Sequence, residues 1–373
     1  MTWVFWAAFF FVFYSYIGYP VWLWARGHWR LLPVRKSEGT PSISIVIAAF
    51  NEAATLRRKL TNLSDLRYPR NLLEIIVVSD GSTDETDQVL KAAAGLLVRP
   101  VLLPTHEGKA FALNCGIAAA RGEVVVFMDV RQEVEPDALN QLVRNFADPT
   151  VGCVSGELIL RAPESASGQD GLGLYWRLEK AIRKMESETG SVVGATGALY
   201  AVRRELLVEI PPGTLLDDVY LPLCIAAKKK RVVFEPEARA WDNMPDSASK
   251  EFRRKVRTLT GNYQLLELAP WLFTRNNPLR FEFVSHKLSR LLVPFALVAL
   301  FVSCIFLRGF PYRETLVAQI CFYSSAALSA VRVRPEFISR LSRVALAFLL
   351  LNVAAAMALV NFISGKRAVW VRP

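Results

Sequence analysis

The first 25 residues contain 12 aromatic side chains and no charged one. At about 1.5 Å rise per residue, about 20 apolar residues cross the hydrocarbon layer, so this stretch is long enough to span a bilayer. Such a segment is either removed as a secretory leader or kept as an anchor. A leader would carry positive charge before its apolar run and small residues at a cleavage site after it. Neither is present, so the segment reads as a retained anchor. Arg26, Arg30, Arg35 and Lys36 follow directly, which puts that flank in the cytoplasm by the positive-inside rule.

Three more charge-free runs, 291–307, 316–331 and 344–365, lie near the other end. The intervening loop holds Arg332, Arg334, Arg340 and Arg343 against Glu336 and reads as cytoplasmic, with 308–315 on the opposite side. Lys366, Arg367 and Arg372 also favour the cytoplasm, so the last run is either a span or a re-entrant or interfacial segment. The expected organisation is an anchor over 1–25, a cytoplasmic domain over 40–275, and a membrane region over 276–373 with two to three spans. The site of action is then the inner (plasma) membrane.

Lys and Arg outnumber Asp and Glu by 45 to 34. The excess is partly juxtamembrane, which suits anionic lipid, and no nucleic-acid motif with interleaved aromatics accompanies it. The five cysteines form no C-x-x-C pair and the three histidines no H-x-x-x-H. A structural zinc site and a disulfide framework are both excluded on that pattern.

From residue 40 the pattern changes. Residues 42–48 (SISIVIA), 74–78 (EIIVV), 98–103 and 123–128 (EVVVFM) read as strands, with helical patterns between them. Strands alternating with helices at this spacing predict an α/β fold with a mixed, mostly parallel sheet. Ligands bind such sheets beyond the carboxyl ends of the strands. Asn51-Glu52, Asp80-Gly81-Ser82 and Asp129-Val130-Arg131 all stand at strand ends. The alternatives fail on their own terms: G-x-G-x-x-G after the first strand, G-x-x-x-x-G-K-[ST] and G-x-S-x-G are all absent.

These residues resemble the membrane-bound family 2 glycosyltransferases, which have a GT-A fold and include hyaluronan, cellulose and poly-N-acetylglucosamine synthases. The resemblance runs through Asn51-Glu52, Asp80-Gly81-Ser82, Gly108-Lys109, Asp129, Gly194–Gly197, Asp217-Asp218 and the Arg257 region to a near-terminal Trp370. It implies a nucleotide-sugar donor, with a UDP-sugar first in line, and a saccharide or lipid-linked acceptor. It further implies membrane lipids as surroundings and work in cell-envelope or exopolysaccharide synthesis.

The resemblance assigns roles residue by residue, each beside a plainer one. Asp80 takes the place of the base-binding acid, or only shapes an Asp-Gly turn. Glu52 stands for a donor-site acid, or a first-turn helix acid. Lys109 would neutralise diphosphate charge, or face solvent from its helix. Asp129 opens the D-x-D motif, whose acids hold a divalent cation (Mg²⁺ or Mn²⁺) at the diphosphate. Here Arg131 replaces the second acid; it either points away or adds positive charge of its own. Asp217-Asp218 supplies the catalytic acidic pair, with Asp218 as general base in a single, inverting displacement; acids in a helix first turn are the alternative. Arg254, Arg257 and Thr258 stand where the family has Q-x-x-R-W, so only Arg257 is kept as a diphosphate clamp. Arg253, Arg254 and Lys255 equally suit an interfacial helix. Trp176 and Trp241 are candidates for sugar stacking or for core.

Two rival functions remain. One is a transferase acting once on a lipid or polyprenyl phosphate. The other is a catalytically silent, nucleotide-binding subunit of a polysaccharide assembly, suggested by the altered D-x-D and Q-x-x-R-W motifs.

Overall fold

The computed structural model describes residues 1–95, 97–161, 170–244, 248–328 and 336–365. Among the described residues eight strands form one sheet: β1 Ile43–Ala49, β2 Leu73–Asp80, β3 Val98–Leu103, β4 Val124–Phe127, β5 Glu133–Val134, β6 Val151–Arg161, β7 Tyr200–Arg203 and β8 Arg231–Asn243. Their order is β3-β2-β1-β4-β7-β6-β8-β5. Pairs β2/β3, β1/β2, β1/β4 and β6/β8 are parallel, while β4/β7, β6/β7 and β5/β8 are antiparallel. The sheet is therefore mixed and mostly parallel, as expected.

Every residue of β1 is buried, because helices cover both faces of the sheet. The period-2 alternation of a strand divides β1 between two cores. Ile43, Ile45 and Ile47 pack with Leu56 and Leu63 of the helix Ala53–Ser64 on one face. Val46 and Ala48 pack with Ala110 and Leu113 of the helix Lys109–Ala119 on the other. Each fully buried Ile of this kind contributes about 1.5–3 kcal/mol, so the register of β1 is firmly set, and with it the position of the loop that follows.

Among the described residues three helices are long and apolar enough to cross a membrane: Thr2–Trp29, Arg280–Phe306 and Leu341–Ile363. The run at 316–331 falls mainly on the helix Tyr312–Ala327, which has 16 residues and carries Arg313 and Glu314 in its first turn; residues 329–331 lie outside the described residues. The helix through the 291–307 run starts earlier than its charge-free core, because its charged residues have partners. Glu282 pairs with Arg26 at 2.6 Å, His286 with Glu179 and Glu186 at 2.9 and 2.8 Å, and Arg290 with Glu179 at 2.6 Å. Tyr19 also donates to Glu186 at 2.6 Å. These bonds fasten the helix Asp170–Thr189 to both the N-terminal helix and helix 280–306. Arg332, Arg334, Lys366, Arg367, Trp370 and Arg372 lie outside the described residues.

Candidate active site

Because β1, β2, β3 and β4 are parallel, their carboxyl ends share one edge of the sheet. Asn51 leaves β1 with a φ of +52°. Its Oδ1 accepts from the Thr83 and Asp84 amides at 2.8 and 3.3 Å, and its own amide donates to Ser82 Oγ at 3.2 Å. The loops after β1 and β2 are thus stitched together, with Glu52 partly exposed between them.

Asp80, at the end of β2, is fully buried. Its Oδ1 accepts from the Glu107 amide and its Oδ2 from the Gly108 amide, both at 2.9 Å, while His106 Nδ1 lies 2.8 Å from Oδ2. With an amide on each oxygen, Asp80 shapes the 106–108 turn in this arrangement. His106 stacks on Phe50 with centroids 3.9 Å apart. Gly81 suits the turn because φ is +63° and a Cβ there would run into the Thr105–His106 backbone.

That turn delivers Lys109 as the first residue of its helix. Its ammonium stands 3.0 Å from Asp129 Oδ1 and 3.1 Å from Asp217 Oδ1. Burial alone would lower the lysine, but Asp129, Asp217 and Asp218 outweigh it and hold it above its ordinary value. The bland reading of Lys109 as a solvent-facing helix residue does not describe this geometry.

The second acidic element arrives through an antiparallel strand. Phe127 of β4 is in register with Tyr200 of β7, so Asp129, just past the one, meets Gly197, just before the other. A Cβ at 197 would stand 3.3 Å from both Asp129 Oδ2 and Asp218 Oδ2. The Gly197 amide donates to Asp218 Oδ2 at 2.9 Å and the Ala195 amide to the Asp218 carbonyl at 2.7 Å. Behind this loop, Ser155 Oγ accepts from the Thr196 amide at 3.1 Å and from Arg183 at 2.6 Å.

Asp217 and Asp218 begin the helix Asp217–Ala227. Asp217 is buried, while Asp218 is half-buried and keeps Oδ1 without a hydrogen bond among the described residues. Burial first, then Asp217 and Asp129, raises the Asp218 carboxyl to about 6, against the opposing pull of Lys109 and Lys287. A half-open carboxylate titrating near 6 can take a proton at neutral pH.

Arg131 points away from this cluster. Its guanidinium grips the buried Asp242 with Nη2 at 2.8 Å and Nε at 3.1 Å. Asp242 also accepts from Gln132 at 3.1 Å and lies 3.9 Å from Arg254. Arg257 stands one turn beyond Arg254 on the helix Ala248–Leu268 and one turn before Gly261. A Cβ at 261 would reach within 2.6 Å of Leu216, so this face lies over the segment leading to Asp217. Trp241 is tied by its Nε1–H to Glu135 at 2.9 Å and lies under Arg161.

The fit of a divalent cation turns on Asp129. Among the described residues no three His, Cys, Asp or Glu side chains gather as a metal cage. Asp129 is 37% exposed with one oxygen on Lys109, so Oδ2 is available. One carboxylate plus phosphate oxygens is an ordinary ligand set for Mg²⁺, and the residues fit a cation held mainly by the donor.

Sequence reasoning passed over His106, Lys59 and Asp242. Lys59 is 2% exposed and donates to the Gln132 carbonyl at 2.8 Å, bracing the loop after Asp129. The charge at 59 in an otherwise apolar helix face was its only local signal.

Residues 44–210 match the family described as Glycosyl transferase family 2. Poly-beta-1,6-N-acetyl-D-glucosamine synthase of Staphylococcus aureus (strain COL) is 27% identical over 229 residues, which cover 60% of this chain and 55% of the relative. The synthase of the same name from Staphylococcus epidermidis is 26% identical over 243 residues, covering 64% and 58%. The chain thus spans about half the length of the curated relatives it matches. Among solved structures, the mannosyltransferase PcManGT from Pyrobaculum calidifontis, in complex with GDP-Man and Mn²⁺, superposes with a TM-score of 0.73 at 22% identity, covering 96% of this chain and 99% of that one. That likeness carries the fold, a GT-A sheet with apolar helices on either side. Residues 44–210 thus carry a glycosyl transferase family 2 domain.

Proposed function

We propose that the protein transfers a sugar from a nucleoside-diphosphate donor, a UDP-sugar first, to a saccharide or lipid-linked acceptor with inversion. It would act in cell-envelope or exopolysaccharide synthesis at the inner membrane, with the 40–275 domain in the cytoplasm, 1–25 as its anchor and 276–373 as its membrane region. The observation that carries this reading is the convergence of Lys109, Asp129, Asp217 and Asp218 on one sheet edge.

Asp218 is the general base: Oδ2 is held by the Gly197 amide, and Oδ1, without a hydrogen bond among the described residues, is left to take the acceptor's proton. Asp217 buries its charge against Lys109 and fixes that ammonium. When the donor binds, Lys109 and Arg257 offer their charge to the diphosphate, and Glu52 lies beside the donor at the β1 edge. Asp80 acts indirectly, by building the turn that aims Lys109. Asp129 would hold a Mg²⁺ or Mn²⁺ ion, which neutralises negative charge on the leaving diphosphate. The Mn²⁺ in the PcManGT complex supports that assignment.

The test is donor turnover by the detergent-purified full chain, offered UDP- and GDP-sugars with Mg²⁺, Mn²⁺ or EDTA. Nucleotide release from one donor, lost in Asp218→Asn, is the expected result. Nucleotide binding with no release under any acceptor would favour the silent-subunit reading, and no nucleotide binding at all would refute the assignment.

A further inference from the structure

Three successive amides hold the loop before β7, and they do not all bind one partner. The Ala195 amide donates to the Asp218 carbonyl at 2.7 Å and the Gly197 amide to Asp218 Oδ2 at 2.9 Å. Between them the Thr196 amide donates to Ser155 Oγ at 3.1 Å. The outer two grip the proposed base, so whatever fixes the middle one fixes that grip. Ser155, on β6, is fully buried. Its hydroxyl also donates to the Gly156 carbonyl at 3.1 Å and accepts from Arg183 Nη2 at 2.6 Å. A serine hydroxyl has one proton to give and two lone pairs to fill. All three are engaged, which leaves it a single orientation.

Arg183 is held as firmly as the serine. Its guanidinium lies over Phe234 of β8, 4.9 Å from the ring centroid, and a planar cation on a ring face has little freedom. Among the described residues it makes no ion pair, and its hydrogen bond goes to the serine. The Phe234 amide donates to Ser187 Oγ at 2.9 Å, which docks the helix Asp170–Thr189 on β8. Glu179 and Glu186 stand four residues before and three after Arg183, on the same helix face. Their bonds to Tyr19, His286 and Arg290 hold the helix on both sides of Arg183. A reacting group keeps its geometry only when its supports are themselves locked. We infer that Arg183 is a positioning residue for the transfer: through Ser155 and the Thr196 amide it sets where Gly197 holds Asp218 Oδ2, and so where Oδ1 stands. It acts through Asp218 rather than on the sugar. This rests on the transferase reading above.

The experiment measures kcat and donor KM for nucleotide release by the full chain in detergent, with UDP affinity and a thermal melt beside them. The proteins are the wild type, Arg183→Gln, Arg183→Lys, Ser155→Ala, the double variant Ser155→Ala/Arg183→Gln and the surface control Lys184→Gln, whose side chain is 63% exposed. In Arg183→Gln and Ser155→Ala, kcat should fall about tenfold, the cost of a small misplacement of a reacting group, while donor KM and UDP affinity hold. The two residues act in series, so the double variant should lose no more than the worse single one. Arg183→Lys keeps the charge without the planar fork and should recover part of the rate; Lys184→Gln should match the wild type. Placed on Asp218→Asn, Arg183→Gln and Ser155→Ala should leave the residual rate unchanged, because no base is left to position. Wild-type kcat in Ser155→Ala, losses that multiply in the double variant, or a further fall on Asp218→Asn overturns the inference. Should Arg183→Gln fail to fold, Ser155→Ala and Arg183→Lys decide. No release by the wild type under any donor and acceptor would sink the transferase reading itself, and the inference with it.

Discussion

The backbone amide of Gly197 donates to Asp218 Oδ2 at 2.9 Å. A side chain at 197 would stand 3.3 Å from that oxygen and from Asp129 Oδ2 alike. The residue brings Asp218, the proposed base, and Asp129 to a common backbone point, and glycine leaves room for both. Gly197→Ala forces one carboxylate to give way by a few tenths of an ångström. Small displacements of reacting groups are costly to rate, so turnover should fall about tenfold while the melting temperature barely moves. Steady-state nucleotide release beside a thermal melt checks this; a wild-type rate would show that the acids have slack there.

Asp218→Asn keeps the Gly197 hydrogen bond and removes only the proton acceptor. Nucleotide release should drop by about 10²–10⁴-fold, the usual worth of a general base, while calorimetry finds UDP affinity retained. The pH profile of the wild type supplies a second check. Burial, then Asp217, raises the Asp218 carboxyl to about 6. The base form is therefore lost as pH falls through about 6, and kcat/KM should decline on that side rather than near the ordinary carboxylate range. In Lys109→Met a cation that opposes the rise is gone, and the limb should move to higher pH.

Lys59 gives a stability signature instead. Burial is the main cause of its depressed pKa, about 7, opposed by Asp129 and Glu133. In the unfolded chain the lysine keeps a proton up to its ordinary value near 10.4. Between these limits the unfolded state binds more protons, so stability rises with pH from about 7 to about 10, by on the order of a few kcal/mol. Below about 7 the burial penalty is present in full. Lys59→Met should be more stable than wild type at pH 6 and should flatten that slope in thermal melts taken across the range.

The parallel half of the sheet was legible because buried strands read as unbroken β-branched runs. Ile43–Ala49 and Leu73–Asp80 begin or end within two residues of where the pattern put them. A strand end also pointed to Asp129 locally, whereas Lys109, the first residue of a helix, was reached through the resemblance at Gly108-Lys109. What escaped the sequence depends on partners far along the chain. Nothing near Asp80 announces that its oxygens are taken by the amides of residues 107 and 108. Nothing near Arg131 announces Asp242, 111 residues away. The start of helix 280–306 was obscured because a hydropathy run breaks at each charge, whereas Glu282, His286 and Arg290 are buried as ion pairs.

Position 131 allows the D-x-D departure to be tested without relying on loss of activity alone. Arg131 is 58% exposed while Asp242 is 4% exposed, so the pair matters chiefly because Asp242 must not be left without donors. In Arg131→Ala, Gln132 and Arg254 remain near it, and the loss should be about 1–2 kcal/mol. Arg131→Asp loses the same bonds and adds a negative charge two residues from Asp129. It should be less stable than the Ala variant in EDTA. A second carboxylate also rebuilds the D-x-D pattern, so Mn²⁺ should raise the melting temperature of Arg131→Asp more than that of wild type, by ligand binding to the folded state. The comparison needs three proteins, EDTA and a Mn²⁺ series. Equal Mn²⁺ shifts in all three would mean that residue 131 does not reach the cation position even as an acid, and that Asp129 meets the metal without help from this loop.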